Sequence, residues 1–177
     1  QEFGVPANLY VIGTMNTADR SVEALDAALR RRFHFVECAP EPRLLTDEQP
    51  ATLPVDLGAM LTTINGRLER LRDRDHCIGH SYFMGLGEFA DPLAGLRQAF
   101  ANKVLPLLRE YFYGDPGKIG RVLGPAFVRK RSQPVGLAFG ADAMDDDDER
   151  EVYEFTNIDS LGVEAFRSIY EKPNPGL

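Results

Sequence analysis

GTMNTADRS, residues 13–21, comes directly after the apolar run Leu9–Ile12 (LYVI). The run is short and rich in β-forming residues, and it predicts a buried strand over Asn8–Thr14. The polar residues that follow can cap a helix, which the apolar spacing predicts over Ser21–Arg32. Alternating residues over Phe33–Cys38 predict a second strand. Strand, helix and strand within about 30 residues are typical of a βαβ unit with two parallel strands.

Composition limits the classes of protein to which the chain can belong. Its 177 residues suffice for one ordinary domain or two small ones, and 44% of them are hydrophobic, so a packed core is expected. No apolar run approaches the length of about 20 residues that a membrane-spanning helix needs. Cys38 and Cys77 lie far apart and match no metal-binding spacing. They indicate reduced thiols in a cytoplasmic protein.

The acidity of the chain is local. The net charge is -7, and the segment Asp142–Glu151 (DAMDDDDERE) contributes -6 of it, from seven acids and one arginine. We interpret this segment as a solvated loop. A magnesium site or a surface for a basic partner is the alternative interpretation.

Helices are predicted after the first 40 residues. The prolines between Pro40 and Pro54 indicate a linker, and apolar residues at spacings of three and four predict a long helix over Leu57–Leu71. A second helical region is predicted from Leu93 to Tyr113, kinked or split at Pro106 because proline removes a helical hydrogen bond. A short helix or turn is expected between Gly114 and Gly124.

The residues after 124 give weaker signals. Alternation over Val152–Phe155 predicts a strand. A last helix is predicted to begin at a cap formed by Asn157 or Asp159 and to run through Tyr170.

Four stretches resemble one known family. NLYVIGTMNTADRS (8–21), LDAALRRRFHF (25–35), GHSYFM (79–84) and VLPLLREYFYGD (104–115) look like the AAA+ GTPase subunit of modification-dependent restriction systems, the McrB family. The resemblance covers about Val5 to Gly124. It implies a fold class of α/β followed by a mainly helical lid, the C-terminal portion of an AAA+ (P-loop NTPase) module.

The same resemblance implies three parts. Residues 1–40 would be the end of the AAA+ α/β core, 41–124 the helical lid, and 125–177 a C-terminal extension.

The resemblance also assigns roles within the opening stretch. Asn16 matches the sensor 1 position, where an amide can donate to the γ-phosphate and accept from the attacking water. Asp19 and Arg20 would face the subunit boundary. The alternative is a strand-to-helix turn with an Asx cap. The NTAD sequence also resembles the N-K-x-D guanine-reading motif, but the lysine is missing.

Arg30, Arg31 and Arg32 stand where the predicted helix ends. By match to the family, Arg31 and Arg32 would be arginine fingers that reach the nucleotide of a neighbouring subunit, because a guanidinium can stabilise charge growing on the transferred phosphoryl group. The alternative is that the three cations only compensate the negative end of the helix dipole.

His80 and Ser81 belong to the GHSYFM stretch, which the resemblance places in the lid. There they would contact the nucleotide, in place of the sensor 2 arginine of other AAA+ proteins. A structural hydrogen-bonding role for His80 is the alternative, and Tyr82 and Phe83 are expected to pack in the core.

The chain departs from the family pattern in one respect. It contains no G-x-x-x-x-G-K-[ST] and no apolar strand ending in Asp-Glu, the parts that bind phosphates and Mg²⁺. We therefore expect a C-terminal fragment that is itself inactive, with no metal site and no nucleotide bound tightly. GTP or ATP with Mg²⁺ would act in the full-length parent.

The implied partners are those of the parent protein. They are identical subunits in a ring, expected to be a hexamer, a McrC-like nuclease subunit, and DNA held by other domains or by the partner. Two alternatives stay open: a MoxR-like AAA+ ATPase that remodels protein, and a non-catalytic interaction module derived from AAA+.

Overall fold

The computed structural model describes residues 4–15, 31–131 and 151–171. The chain divides into two compact units, Gln1–Cys38 and Ala39–Leu177. The predicted helix over Ser21–Arg32 lies outside the described residues except for its last two positions, which form part of a turn. The acidic segment also lies outside them, apart from Glu151.

The two predicted strands of the first unit are wrong. Neither Asn8–Thr14 nor Phe33–Cys38 is a strand, and the side chains of Tyr10 and Ile12 are 87% and 92% exposed. A strand requires a hydrogen-bonded neighbour, and no ladder joins residues within 4–15 and 31–38. The sequence pattern favours extended backbone but supplies no partner for it.

The predicted linker belongs to the second unit and helps to form its core. A short helix, α1, covers Leu44–Asp47, and the side chains of Leu45, Leu53 and Val55 are almost completely buried. The linker interpretation is therefore wrong. Prolines break regular structure here, but the apolar residues between them still pack.

The long predicted helix is confirmed as α2, Leu57–Leu71. The Asp56 carboxylate caps it by accepting a hydrogen bond from the backbone N–H of Ala59 at 2.8 Å. One face of α2 is buried through residues at spacings of three and four, namely Leu57, Met60, Leu61, Ile64 and Leu68.

The second helical region is split before Pro106, as predicted. Helix α3 covers Pro92–Ala99, a π-helical turn covers Phe100–Val104, and α4 covers Leu105–Tyr111. The π turn changes the spacing of the backbone hydrogen bonds just ahead of Pro106, which has no N–H to donate.

Helix α5, Pro116–Leu123, confirms the short helix expected there, and Asp115 caps it. Strand β1, Val128–Lys130, pairs antiparallel with β2, Tyr153–Phe155, with Val128 opposite Phe155. The predicted strand near residue 153 is thereby confirmed.

The last helix differs from the prediction. Asn157 caps a 3-10 turn, Ile158–Ser160, and helix α6 covers only Val163–Arg167, beginning after Gly162. Further 3-10 turns lie at Arg74–His76, His80–Tyr82 and Leu86–Glu88.

The helices of the second unit enclose one hydrophobic core. Residues from beyond position 124 contribute to it, among them Phe127, Ile158, Phe166 and Ile169. The second unit is therefore helical with a small two-stranded sheet, and its last described segment packs into the same core as α2 to α5. Within the described residues, no helix has the length and apolarity that a membrane crossing requires.

Candidate functional site

The GHSYFM segment, residues 79–84, forms a 3-10 turn followed by a buried anchor. The turn covers His80–Tyr82, and the N–H of Phe83 donates to the carbonyl of His80 at 3.0 Å. The Phe83 side chain is 1% exposed and packs against the Phe100 ring, with ring centroids 5.7 Å apart. Phe83 thus fixes a turn whose polar residues stay near the surface.

His80 is half-buried, and its ring is held by the main chain. Its Nδ1 accepts a hydrogen bond from the backbone N–H of Glu41 at 3.1 Å. An accepting Nδ1 carries no proton, so the neutral ring has its proton on Nε2. The Nε2–H group is then a donor for a phosphate or carbonyl oxygen. The hydroxyl of the exposed neighbour Ser81 can donate or accept beside it.

An open groove of 480 Å³ lies beside this turn. Ser81 and Tyr82 line one part of it, and Asn102, Lys103 and Glu110 line another. The Lys103 Nζ lies 6.0 Å from the centroid of the Tyr82 ring, in cation–π contact. The groove offers a hydroxyl, an amide and an ammonium group, which can bind the oxygens of an anionic ligand. It also contains one carboxylate, that of Glu110.

A second polar cluster joins the end of α2 to the end of α4. The carboxylate of Asp73 lies 2.5 Å from Nδ1 of the buried His76, and the His76 ring packs edge-on against Tyr111 with centroids 4.7 Å apart. The Arg72 guanidinium donates to the carbonyl of Tyr111 and lies over its ring. Sequence reasoning missed this cluster, although Asp is a favoured capping residue and the Asp73 carboxylate accepts from the backbone N–H of His76 at 3.2 Å.

Hydrogen bonding and burial shift the pKa values of two groups in the cluster. The hydrogen bond from His76 lowers the pKa of the Asp73 carboxyl, and burial raises the pKa of the Tyr111 hydroxyl. The cluster connects two helix ends. In the parts of the chain that the structure describes, no three His, Cys, Asp or Glu side chains converge as a metal site.

Residues 56–120 match the family model for the α-helical lid domain of McrB. The chain is McrB-like. It is also 36% identical over 130 residues to the Type IV methyl-directed restriction enzyme EcoKMcrB subunit of Escherichia coli (strain K12). That alignment covers 67% of this chain and 28% of the relative, so the chain spans only a minor part of the relative's length. The resemblance seen in the sequence is thereby confirmed.

The sequence-predicted site residues of this McrB-like chain are not all described. Asn16, Asp19 and Arg20 lie outside the described residues. Arg31 and Arg32 are exposed, in a turn of the first unit. The roles of these five residues therefore stay predictions.

The two predicted lid residues lie within the matched lid domain. His80 and Ser81 are adjacent in the 3-10 turn, and Ser81 lines the groove. Tyr82 is half-buried and packs against the core, as expected, while one side of its ring also faces the groove.

Proposed function

We propose that this chain is the C-terminal part of an AAA+ module in a nucleotide-driven subunit of a DNA restriction system. The observation that carries the proposal is the McrB lid match over residues 56–120, with the GHSYFM turn inside it. The restriction role rests on the 36% identical relative, which is named a restriction enzyme subunit. The parent protein would hydrolyse GTP or ATP with Mg²⁺.

In this proposal the lid contacts the nucleotide through His80 and Ser81. The Glu41 N–H holds the His80 ring so that Nε2 remains the donor. A neutral donor and a hydroxyl can bind phosphate or ribose oxygens without bringing a full charge into the site.

The remaining roles lie in the first unit. Asn16 positions the attacking water and the γ-phosphate as sensor 1, with Asp19 and Arg20 at the subunit boundary. Arg31 and Arg32 serve as arginine fingers for the neighbouring subunit, and their exposure suits side chains that must reach another molecule.

The P-loop and the Mg²⁺-holding acid are supplied by polypeptide outside these 177 residues. The chain alone then binds no nucleotide tightly and hydrolyses none. The active form is a ring of identical subunits, a hexamer, that drives a McrC-like nuclease in the cytoplasm, with DNA held by other domains or by the nuclease.

The proposal is tested by nucleotide turnover in the complete protein. Asn16→Ala is expected to lower kcat with little change in nucleotide affinity, because its interaction forms mainly in the transition state. His80→Ala is expected to raise KM. Met84→Ala, which changes an exposed apolar residue of the same turn region, is the control.

Two results would contradict the proposal. Normal turnover in Asn16→Ala would reduce Asn16 to a turn residue. Tight binding of labelled GTP or ATP, in the sub-micromolar range, by the 177-residue chain alone would show that the chain contains a complete site.

A further inference from the structure

Four buried phenylalanines connect the last described segment of the chain to the GHSYFM turn. Phe166 in α6 contacts Phe100 at a centroid distance of 5.1 Å, and Phe100 contacts Phe83 at 5.7 Å. Phe127 packs against both Phe100 and Phe166, at 5.4 and 5.6 Å. All four side chains are at most 1% exposed.

We infer that Phe166 and Phe127 are positioning residues for His80 and Ser81. Both lie after the matched lid residues 56–120, in the part of the chain to which neither the sequence nor the comparisons give a role. The inference rests on the proposed function, in which the His80–Ser81 pair contacts the nucleotide.

Close packing transmits a change at Phe166 to the turn. Protein interiors have few voids, so a ring that loses its neighbour moves or leaves a cavity. Phe100 lies in the π turn, and its ring contacts the rings of Phe83, Phe127 and Phe166. Phe83 is bonded through its N–H to the carbonyl of His80, so a shift of Phe83 moves the turn.

The segment that carries Phe166 is itself fixed to the helices of the lid. Arg97 Nε donates to the carbonyl of Leu161 at 2.8 Å. The backbone N–H of Asp56 donates to the hydroxyl of Tyr170 at 3.0 Å. These hydrogen bonds hold α6 on both sides of Phe166, which gives the ring cluster a rigid support.

The first test measures the turn directly, in the 177-residue chain. Phe166→Leu is expected to shift the NMR signals of the His80 ring and of the Gly79–Met84 amides. The matched control is Phe112→Leu, which truncates a buried phenylalanine that shares no ring contact with the four among the described residues. Phe112→Leu should lose about as much stability as Phe166→Leu but leave the His80 signals unchanged.

The second test is kinetic and uses the complete protein. Phe166→Leu should raise the KM for nucleotide about tenfold at nearly constant kcat, as expected when ground-state and transition-state binding weaken together. In the double variant Phe166→Leu with His80→Ala, the rise in KM should be smaller than the two single effects combined, because the His80 contact can be lost only once. A side chain that only stabilises the fold would give additive effects.

The two tests separate two failures. Unchanged His80 signals in Phe166→Leu, or equal shifts in Phe112→Leu, would overturn the positioning role. An unchanged KM in His80→Ala would overturn the proposed nucleotide contact, and with it the kinetic expectation. If Phe166→Leu fails to fold, Phe166→Met and Phe127→Leu carry the same NMR comparison, because each keeps most of the buried volume.

Discussion

The Nη2 atom of Arg67 donates a 2.7 Å hydrogen bond to the carbonyl of Ile169, 102 residues further along the chain. Its Nη1 atom donates at 2.6 Å to the carbonyl of Val122, at the end of α5. One guanidinium on α2 therefore donates to two backbone carbonyls, one at the end of α5 and one just after α6. Carbonyl groups at helix ends have no hydrogen-bond partner within the helix. Burial lowers the pKa of Arg67, but an arginine remains charged at every ordinary pH.

Arg67→Met is expected to destabilise the chain by about 2 kcal/mol, since hydrogen bonds to a charged group are lost and two carbonyls lose their donor. Urea unfolding followed by circular dichroism measures the change. Arg70→Met, which removes an exposed arginine from the same helix, is the control and should change the midpoint little. Equal midpoints for the two variants would mean that Arg67 does not hold the segments together.

Replacement of two helical glycines by alanine should change the stability of the chain in opposite directions. A Cβ on Gly117 would lie 2.8 Å from the Tyr153 hydroxyl oxygen, so Gly117→Ala must displace the Tyr153 ring from α5. A Cβ on the exposed Gly66 would meet nothing within 4 Å. We expect Gly66→Ala to stabilise the chain by about 0.5 to 1 kcal/mol through helix propensity.

For Gly117→Ala we expect a net loss of about 1 kcal/mol, the low end of the cost of overpacking. Thermal unfolding of both variants beside the parent chain provides the measurement. If Gly117→Ala gained stability as Gly66→Ala does, the contact between Tyr153 and α5 would not constrain the sheet.

The Asp73–His76 contact predicts that the stability of the chain depends on pH in the acid range. The pKa of the Asp73 carboxyl is lowered in the folded chain, so its stabilising effect is present above its unfolded value of about 3.9 and is lost as the pH falls below that value. Asp73→Asn should therefore be less stable than the parent chain near neutral pH and converge with it toward pH 2. Half of the Asp73 side chain is exposed, so solvent screening keeps the effect small.

Unfolding midpoints measured from neutral pH down to pH 2 test this expectation. Asp47→Asn, which removes an exposed carboxylate from α1, provides the comparison. A constant difference between Asp73→Asn and the parent chain at every pH would show that the carboxylate charge plays no part.

Helices α2 to α5 could be predicted because local signals determine them. In α2 the apolar spacing and the Asp56 cap both lie within the helix and its flank. Pro106 interrupts the regular α-helix in the same local way, since its missing N–H acts at one position. The match of the GHSYFM and VLPLLREYFYGD stretches to the family rested on motifs, and the lid comparison confirmed it.

The remaining features depend on contacts that no short stretch encodes. The Arg67 bonds to Val122 and Ile169 span 55 and 102 residues, and the burial of Leu45 depends on the helices around it. Strand prediction failed in the first unit for the same reason, because a ladder needs a partner that alternation cannot supply. Where the partner was present, as for β1 and β2, the strand formed.

The candidate site was predicted in part for similar reasons. His80 and Ser81 stood out through a motif, but the Glu41 N–H that fixes the His80 ring lies 39 residues earlier. The groove beside the turn depends on the π turn, which brings Lys103 over Tyr82. Neither arrangement follows from spacing along the chain.

Arg31 and Arg32 are exposed, and we propose that they act across a subunit boundary. An arginine finger contributes about 10³ to 10⁵ in rate in phosphoryl transfer, so a subunit carrying Arg31→Ala and Arg32→Ala should be inactive. A subunit with its P-loop lysine replaced should be inactive as well. Mixed rings of the two should regain turnover, because an intact P-loop can then sit beside an intact finger from its neighbour. The measurement is nucleotide hydrolysis across mixing ratios, with ring formation checked by size. Rings that form but stay inactive would place both arginines within their own subunit or at the helix end only.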